Sequence, residues 1–325
     1  MREFIQLANA VKDSEGLGNM KQKITVFGSY VTDLMSRTPH LPLPAETVKG
    51  TVFSMSAGGK GFNQAIAAKK MDADVVMVTK MAKDPFGKLA LDLMDELSMD
   101  TSHILYSETE GTGTALIMVD ESTGQNEIVV VPGACGAITL KEVERCAPLI
   151  QKSGYLLVQF EVNMDAMERA VEIAHEAGVC IVMNPAPYQD VLDKLLGMAD
   201  IVTPNEVEVE GLTGIKVDSE ESARLAAEIL HKKGVGTVVI TMGHRGSFVS
   251  TGEEHRLLPP FTVDALDTTG AGDAFNGGMV AGLAEGMDIW QAARFASAVA
   301  ALSVTKIGTS KAMPQRSEVE ALLAE

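Results

Sequence analysis

The sequence predicts an α/β fold, a doubly wound and mostly parallel sheet flanked by helices, with a small β-sheet lid. Three observations lead there. Continuous apolar runs rich in valine and isoleucine recur from Lys23 onward, helical patterns lie between them, and two segments break the rhythm with antiparallel signatures. Strands buried on both faces read as unbroken apolar runs, and repeated strand–helix–strand units imply a parallel sheet.

Taken in order, the runs are "ITVFG" (24–28), "DVVMVTKM" (74–81), "YLLVQF" (155–160), "VCIVMN" (179–184), "DIVTPN" (200–205) and "TVVITMG" (237–243). Between them, "MDAMERAVEIAHEAG" closes on Gly178, and "SEESARLAAEILHKKG" closes on Gly234 after a basic last turn, both helix-stop signals. The exceptions are "AETVKGTVFSMSAGG" (45–59) and "GTGTALIMVDESTGQNEIVVVPGA" (111–134), in which "DESTGQN" separates two apolar runs as a hairpin turn would. These segments read as a lid or second layer, with ordinary edge strands as the alternative. Residues 1–22 read as an extension, a short amphipathic helix and a Gly-rich linker, with no function assigned; the main domain is 23–325.

Composition narrows the function. The 325-residue chain is 46% hydrophobic and 22% charged, with a formal charge of −17. Without a basic block, that charge argues against a nucleic-acid partner. An anionic substrate must then be met by backbone N–H groups or a few placed cations. Cys135, Cys146 and Cys180 are too scattered for a disulfide framework or metal knuckle and read as reduced, partly buried thiols in the cytoplasm. No run approaches the ~18 apolar residues of a membrane span.

The chemistry concentrates in glycine turns. "DTTGAGDAF" follows a strand-like "FTVDAL" and opens the helix "GDAFNGGMVAGLAEG". Gly270 and Gly272 allow close backbone approach, and the first amides of a helix form a ready anion site. Asp273 in the first turn sets a carboxylate beside that site, although it also suits a plain helix start. The chain has no G-x-x-x-x-G-K-[ST], which excludes a P-loop. "GGKGFNQAIAA" has Gln64 where a dinucleotide fingerprint wants a third glycine.

Together, "GGKGFNQAIAAKKMDADVVMVTKMAKDPFG" and "DTTGAGDAFNGG", with "VQFE", "NPAP", "TPNEVE" and "TMGHRG" between them in order, resemble the ribokinase (PfkB) family of carbohydrate kinases from about Lys23 to the C-terminus. The resemblance implies a central sheet with helices and a β lid. It further implies an ATP-dependent sugar kinase, ribose being favoured over 2-deoxyribose. Asp273 matches the family's base for a primary hydroxyl, and the amides of Gly270, Ala271, Gly272 and Asp273 match its anion hole.

For ATP the resemblance nominates Asn205, Glu208, Thr241, Gly243, Gly246, Gly272 and Ser297, with Glu208 ordering Mg2+ and its waters rather than binding the ion directly. On the residues alone, Asn205 and Glu208 read as an N-cap and an exposed helix acid. A K+-like ion would sit on carbonyls of Asp267, Thr269, Ser303, Lys306 and Gly308, while Ala312 falls near a family serine ligand. For the sugar it nominates Asp33, Gly59, Lys60, Gly61, Asn63, Glu161 and Asp273. Ribokinases commonly carry "GSxNxD" where this chain has "GSYVTD", so Val31 removes a hydrogen-bonding group, as in deoxyribokinases. A homodimer through the lid strands is the family expectation. Nucleoside and sugar-phosphate kinases of the superfamily, and a non-catalytic sugar sensor on the same fold, remain the alternatives; intact Asp273 and glycines argue against the sensor.

Overall fold

Strand residues alternate between two buried faces, which is why their sequences are apolar without a gap. The computed structural model describes residues 22–325, so the expected N-terminal helix and linker lie outside the described residues. The strands are β1 (Ile24–Phe27), β2 (Val31–Thr38), β3 (Val52–Gly58), β4 (Val75–Ala82), β5 (Ile104–Ser107), β6 (Gly113–Asp120), β7 (Asn126–Val131), β8 (Tyr155–Gln159), β9 (Cys180–Asn184), β10 (Ile201–Val202), β11 (Thr237–Thr241), β12 (Ser247–Ser250) and β13 (His255–Leu258). The helices are α1 (Lys60–Lys70), α2 (Pro85–Glu96), α3 (Leu140–Ile150), α4 (Met164–Ala177), α5 (Asp193–Leu196), α6 (Glu206–Thr213), α7 (Glu220–Lys232), α8 (Ala271–Ala284), α9 (Ile289–Ser303) and α10 (Arg316–Ala324).

The main sheet has nine strands in the order β13-β12-β11-β10-β9-β8-β1-β4-β5. It is parallel from β11 to β5, and β12 and β13 add an antiparallel edge. On one face Val26, Leu157 and Val182 pack with α1, α8, α9 and α10. On the other, Phe27, Val158 and Met183 pack with α3, α4, α6 and α7. Strand order reverses at β1, which lies between β4 and β8, and such a switch point opens a crevice at the carboxyl ends of the strands.

The second sheet has four strands, β3-β2-β6-β7. Its hairpin β6–β7 is the expected one, closed by Asp120, whose Oδ1 accepts from the amides of Ser122 and Thr123. Two expectations need correction. The lid's inner strand β2, paired with both β3 and β6, went unread because "VTDLMSRT" is too polar for an apolar-run criterion. "FTVDAL" is not a strand, since residues 261–266 run as coil with no ladder partner among the described residues.

Helix α8 is buried over Asp273–Ala284. A helix apolar on all sides must be enclosed, and glycine makes this enclosure close. A Cβ at Gly277 would lie 2.4 Å from the Gln64 carbonyl and 2.5 Å from the Ala67 methyl. Gly277 therefore lets α8 press against α1, which brings Asp273 to the residues that open α1.

Candidate active site

Every nominated sugar residue stands at a strand's carboxyl end, on the lid, or at the start of α1 or α8. Gly270 is left-handed (φ 78°) and ends the turn, so α8 starts at Ala271 and Asp273 falls in its first turn. Asp273 is 7% exposed. Its Oδ2 accepts from Asn63 Nδ2 and its Oδ1 from Gln64 Nε2, both at 3.0 Å. Burial pushes its carboxyl up, and Lys60 and the two amides only partly offset this. A base held neither strongly acidic nor solvated suits late proton removal from an alcohol.

Around it lie the other nominated groups. Helix α1 starts at Gly59 without a side-chain cap, and Glu161 supplies the anion there, its Oε2 accepting from the Lys60 amide at 2.8 Å and from the Ser29 hydroxyl. Burial lowers the Lys60 ammonium, but Asp273, Glu161 and Glu208 together more than offset it and leave it raised. On the lid, burial first and then Glu161 and Asp273 raise the Asp33 carboxyl to about 6. Val31 and Asp33 share one face of β2, and Val31 is 4% exposed. Asn63 Oδ1 is buried and has no hydrogen-bond partner among the described residues, so it can accept from an incoming hydroxyl.

Beyond α8's first turn opens a cleft of about 540 Å³, within the size range of small-molecule sites. Asn205, Thr241, Gly243, Gly246, Gly272 and Ser297 line it. So do Phe261, Val263 and Ala265 of the coil that was expected to be a strand, and Phe275 from α8. A Cβ on Gly272 would meet nothing within 4 Å, so open space adjoins the backbone at the turn. The Ala271 amide is directed to the Thr268 carbonyl at 3.2 Å, which leaves Gly270, Gly272 and Asp273 as the nominated amides best placed to receive an anion.

Glu208 corrects the reading of an exposed acid, being 7% exposed. With Asn205 it forms a capping box on α6: the Asn205 amide reaches Oε2 and Asn205 Nδ2 reaches Oε1, each at 2.9 Å. Both oxygens are thus engaged. Among the described residues no group of three or more His, Cys, Asp and Glu side chains could cage a metal.

At the nominated cation positions, Asp267 joins two loops, its carboxylate accepting from the amides of Thr269 (2.9 Å) and Gly308 (3.0 Å). The Ser303 carbonyl already accepts from the Lys306 amide at 3.2 Å, and the Lys306 ammonium pairs with Glu318. Ala312 is buried and brings no side-chain oxygen; the nearby Ser310 hydroxyl donates to the Ala57 carbonyl at the foot of the lid.

Sequence reasoning missed Gln64, Gln159 and Asn184, amides that lie behind Asp273. A polar residue inside the apolar run "YLLVQF" was the available signal, because a fully buried Gln159 requires partners.

A sheet switch point, a carboxylate buried at a helix start and a nucleotide-sized cleft beside it define a phosphotransferase with an alcohol acceptor. The pfkB family carbohydrate kinase model matches residues 21–316, and the chain belongs to that family. It is 41% identical to a ribokinase of Haemophilus influenzae over 299 residues, 92% of this chain and 97% of that protein. It is 33% identical to a deoxyribokinase of Salmonella typhi, covering 90% and 95%. Among solved structures it resembles Thermotoga maritima ribokinase (TM-score 0.86, 31% identity, 94% and 100% covered) and Arabidopsis thaliana ribokinase complexed with ribose and ATP (TM-score 0.86, 29% identity, 94% and 100% covered).

Proposed function

We propose that the protein transfers the γ-phosphoryl group of ATP to the primary hydroxyl of D-ribose, giving ribose 5-phosphate. The observation that carries this is the position of Asp273, with the sugar-side groups Asn63, Lys60 and Glu161 on one side and the nucleotide-sized cleft on the other. Asp33, Asn63 and Glu161 hold the sugar hydroxyls, and the lid face bearing Asp33 excludes water. Asp273 takes the hydroxyl proton as the oxygen attacks phosphorus, and the amides of Gly270, Gly272 and Asp273 stabilise the charge on the transferring group.

Mg2+, bound with the ATP phosphates, would neutralise their charge. It suits a site with no carboxylate cage, since this ion keeps waters and binds chiefly through phosphates. Glu208, its oxygens held by Asn205, orders those waters. A K+ ion would sit on the backbone carbonyls of Asp267, Thr269, Ser303, Lys306 and Gly308, in the loops that the Asp267 carboxylate joins. A coupled ATP-consumption assay over pentoses, hexoses and nucleosides, with and without K+, tests the reading; ribose turnover is expected, and inactivity on every pentose would overturn it.

A second reading, 2-deoxyribose kinase, is favoured by Val31, a buried methyl-bearing side chain on Asp33's face of the lid. An apolar wall discriminates only modestly against an added hydroxyl, so both sugars should react. Val31→Asn should lower the deoxyribose-to-ribose ratio of kcat/KM by about tenfold or more. A wild-type ratio far above one would replace ribose by deoxyribose as the substrate.

The homodimer is supported by the lid's other face. Phe53, Met55, Leu116 and Val129 are 46–64% exposed there, and Met55, Leu34, Leu116 and Val129 form one row across the sheet. Such a row on a sheet is a pairing surface. Val129→Glu should convert a dimer to a monomer in analytical ultracentrifugation, and a monomeric wild type would dismiss the interface. Unpaired Cys135 and Cys146, both buried, accord with the reducing cytoplasm.

A further inference from the structure

We propose that Gln64 is a positioning residue for the transfer step: it holds Oδ1 of Asp273 and thereby leaves Oδ2 as the oxygen that takes the hydroxyl proton. The inference rests on the kinase reading and goes beyond it by assigning the two carboxylate oxygens different work.

Gln64 is fully buried and lies at the centre of an amide network. Its Nε2 donates to Asp273 Oδ1 and to Asn184 Oδ1, both at 3.0 Å, while its Oε1 accepts from Gln159 Nε2 at 2.7 Å. Asn184 in turn donates to the Thr203 carbonyl at 2.9 Å, the Thr203 hydroxyl donates to Asn276 Oδ1, and Asn276 Nδ2 donates to the Gly272 carbonyl at 2.8 Å. The path closes on itself, because Gly272 is bonded to Asp273. One network therefore fixes both the base and the turn that meets the phosphate.

Gln159 shows which way the amides must face. Its Oε1 is buried without a partner among the described residues, in the space that Gly28 leaves by lacking a side chain. An unsatisfied buried acceptor is costly. Turning Gln159 to relieve it would withdraw the donor from Gln64 Oε1. Turning Gln64 in response would set its oxygen against the Asp273 carboxylate and Asn184 Oδ1, acceptor against acceptor, so both amides keep their orientation. The orphaned oxygen thus accompanies the one arrangement in which Gln64 donates to Asp273.

The two carboxylate oxygens differ in what can displace their partners. Asn63 is a sugar-side residue with its own Oδ1 unpaired, so an arriving hydroxyl takes its place at Oδ2 and Asn63 turns to the sugar. Gln64 has no sugar-facing alternative. The hydroxyl proton goes to Oδ2 as the new O–P bond forms and the bond from phosphorus to the bridging oxygen of ADP breaks. Lys60, Glu161, Asp33 and Glu208 are the other charged groups that face this carboxylate.

The test compares wild type, Gln64→Met and Gln159→Met in steady-state kinetics on ribose across pH. Gln64→Met should lower kcat about 10- to 100-fold with ribose KM nearly unchanged. It should also move the acid limb of kcat to higher pH, because the lost hydrogen bond favoured the ionised base. Gln159→Met removes the orphaned oxygen along with the donor. It leaves Gln64 Oε1 without its donor in exchange, so it should melt close to wild type. With the Gln64 donation to Asp273 intact, it should keep a near wild-type kcat and acid limb. Unchanged kcat and acid limb in folded Gln64→Met, or an equal loss in Gln159→Met, would overturn the proposal. A crystal structure of the wild type with ribose decides the matter independently: Gln64 on Oδ1 and the 5-hydroxyl at Oδ2 are expected, and the reverse pairing would overturn it. A wild type that turns over no sugar would instead remove the kinase reading itself.

Discussion

Asp273→Asn is expected to reduce kcat by about 100- to 10,000-fold, the range for a lost general base, while ribose still binds. The asparagine matches the carboxylate in shape but cannot take a proton. It can still accept a hydrogen bond from Gln64 and leave Asn63 free for the sugar. The fold should survive, because the raised carboxyl of Asp273 marks a charge that burial disfavours, and an amide relieves it. Ribose KM or calorimetric binding separates the two effects. A variant that binds ribose and turns it over at the wild-type rate would take the base role from Asp273 and end the mechanism proposed above.

How much of this was legible in the sequence depends on what each residue's role leaves behind. The parallel strands were readable because burial on both faces demands unbroken apolar runs. Strand β2 was not, since Thr32, Asp33, Ser36 and Arg37 interrupt any apolar run along it. Gly270 was readable as a turn glycine, and the structure gives it the left-handed backbone such a turn needs. The Gln64 network was not, because its partners come from β8, β9 and α8, distant in sequence and without any spacing rule. Glu208 shows the same limit: its spacing from Asn205 marks a capping box, but only the packing of α6 buries it. The cleft's wall at Phe261 and Val263 was misread as strand for a related reason, since an apolar alternation cannot say whether it faces a sheet or a nucleotide site.

Asp33→Asn should raise ribose KM about 10- to 100-fold, as expected for losing hydrogen bonds to a charged group worth about 1.5–3 kcal/mol, with a smaller change in kcat. The same group makes binding pH-dependent. With its carboxyl raised to about 6, Asp33 is ionised at pH 7 and protonated as pH falls below that value, so wild-type ribose KM should climb on acidification. The variant's KM should be flatter across that range. Stability should move the opposite way. In the folded protein Asp33 holds its proton up to about pH 6, whereas an unfolded aspartate releases it near 3.8. The stabilisation from this group is therefore present at low pH, declines as pH rises through that window, and is gone at pH 7. Asp33→Asn should accordingly melt above wild type at pH 7, with the gain vanishing near pH 4. Ribose binding should erase that gain in the wild type, because its hydroxyls give the carboxylate the donors that the lid does not. A KM indifferent to both pH and this substitution would move the sugar away from the lid, and with it the reason for placing a charged residue on β2.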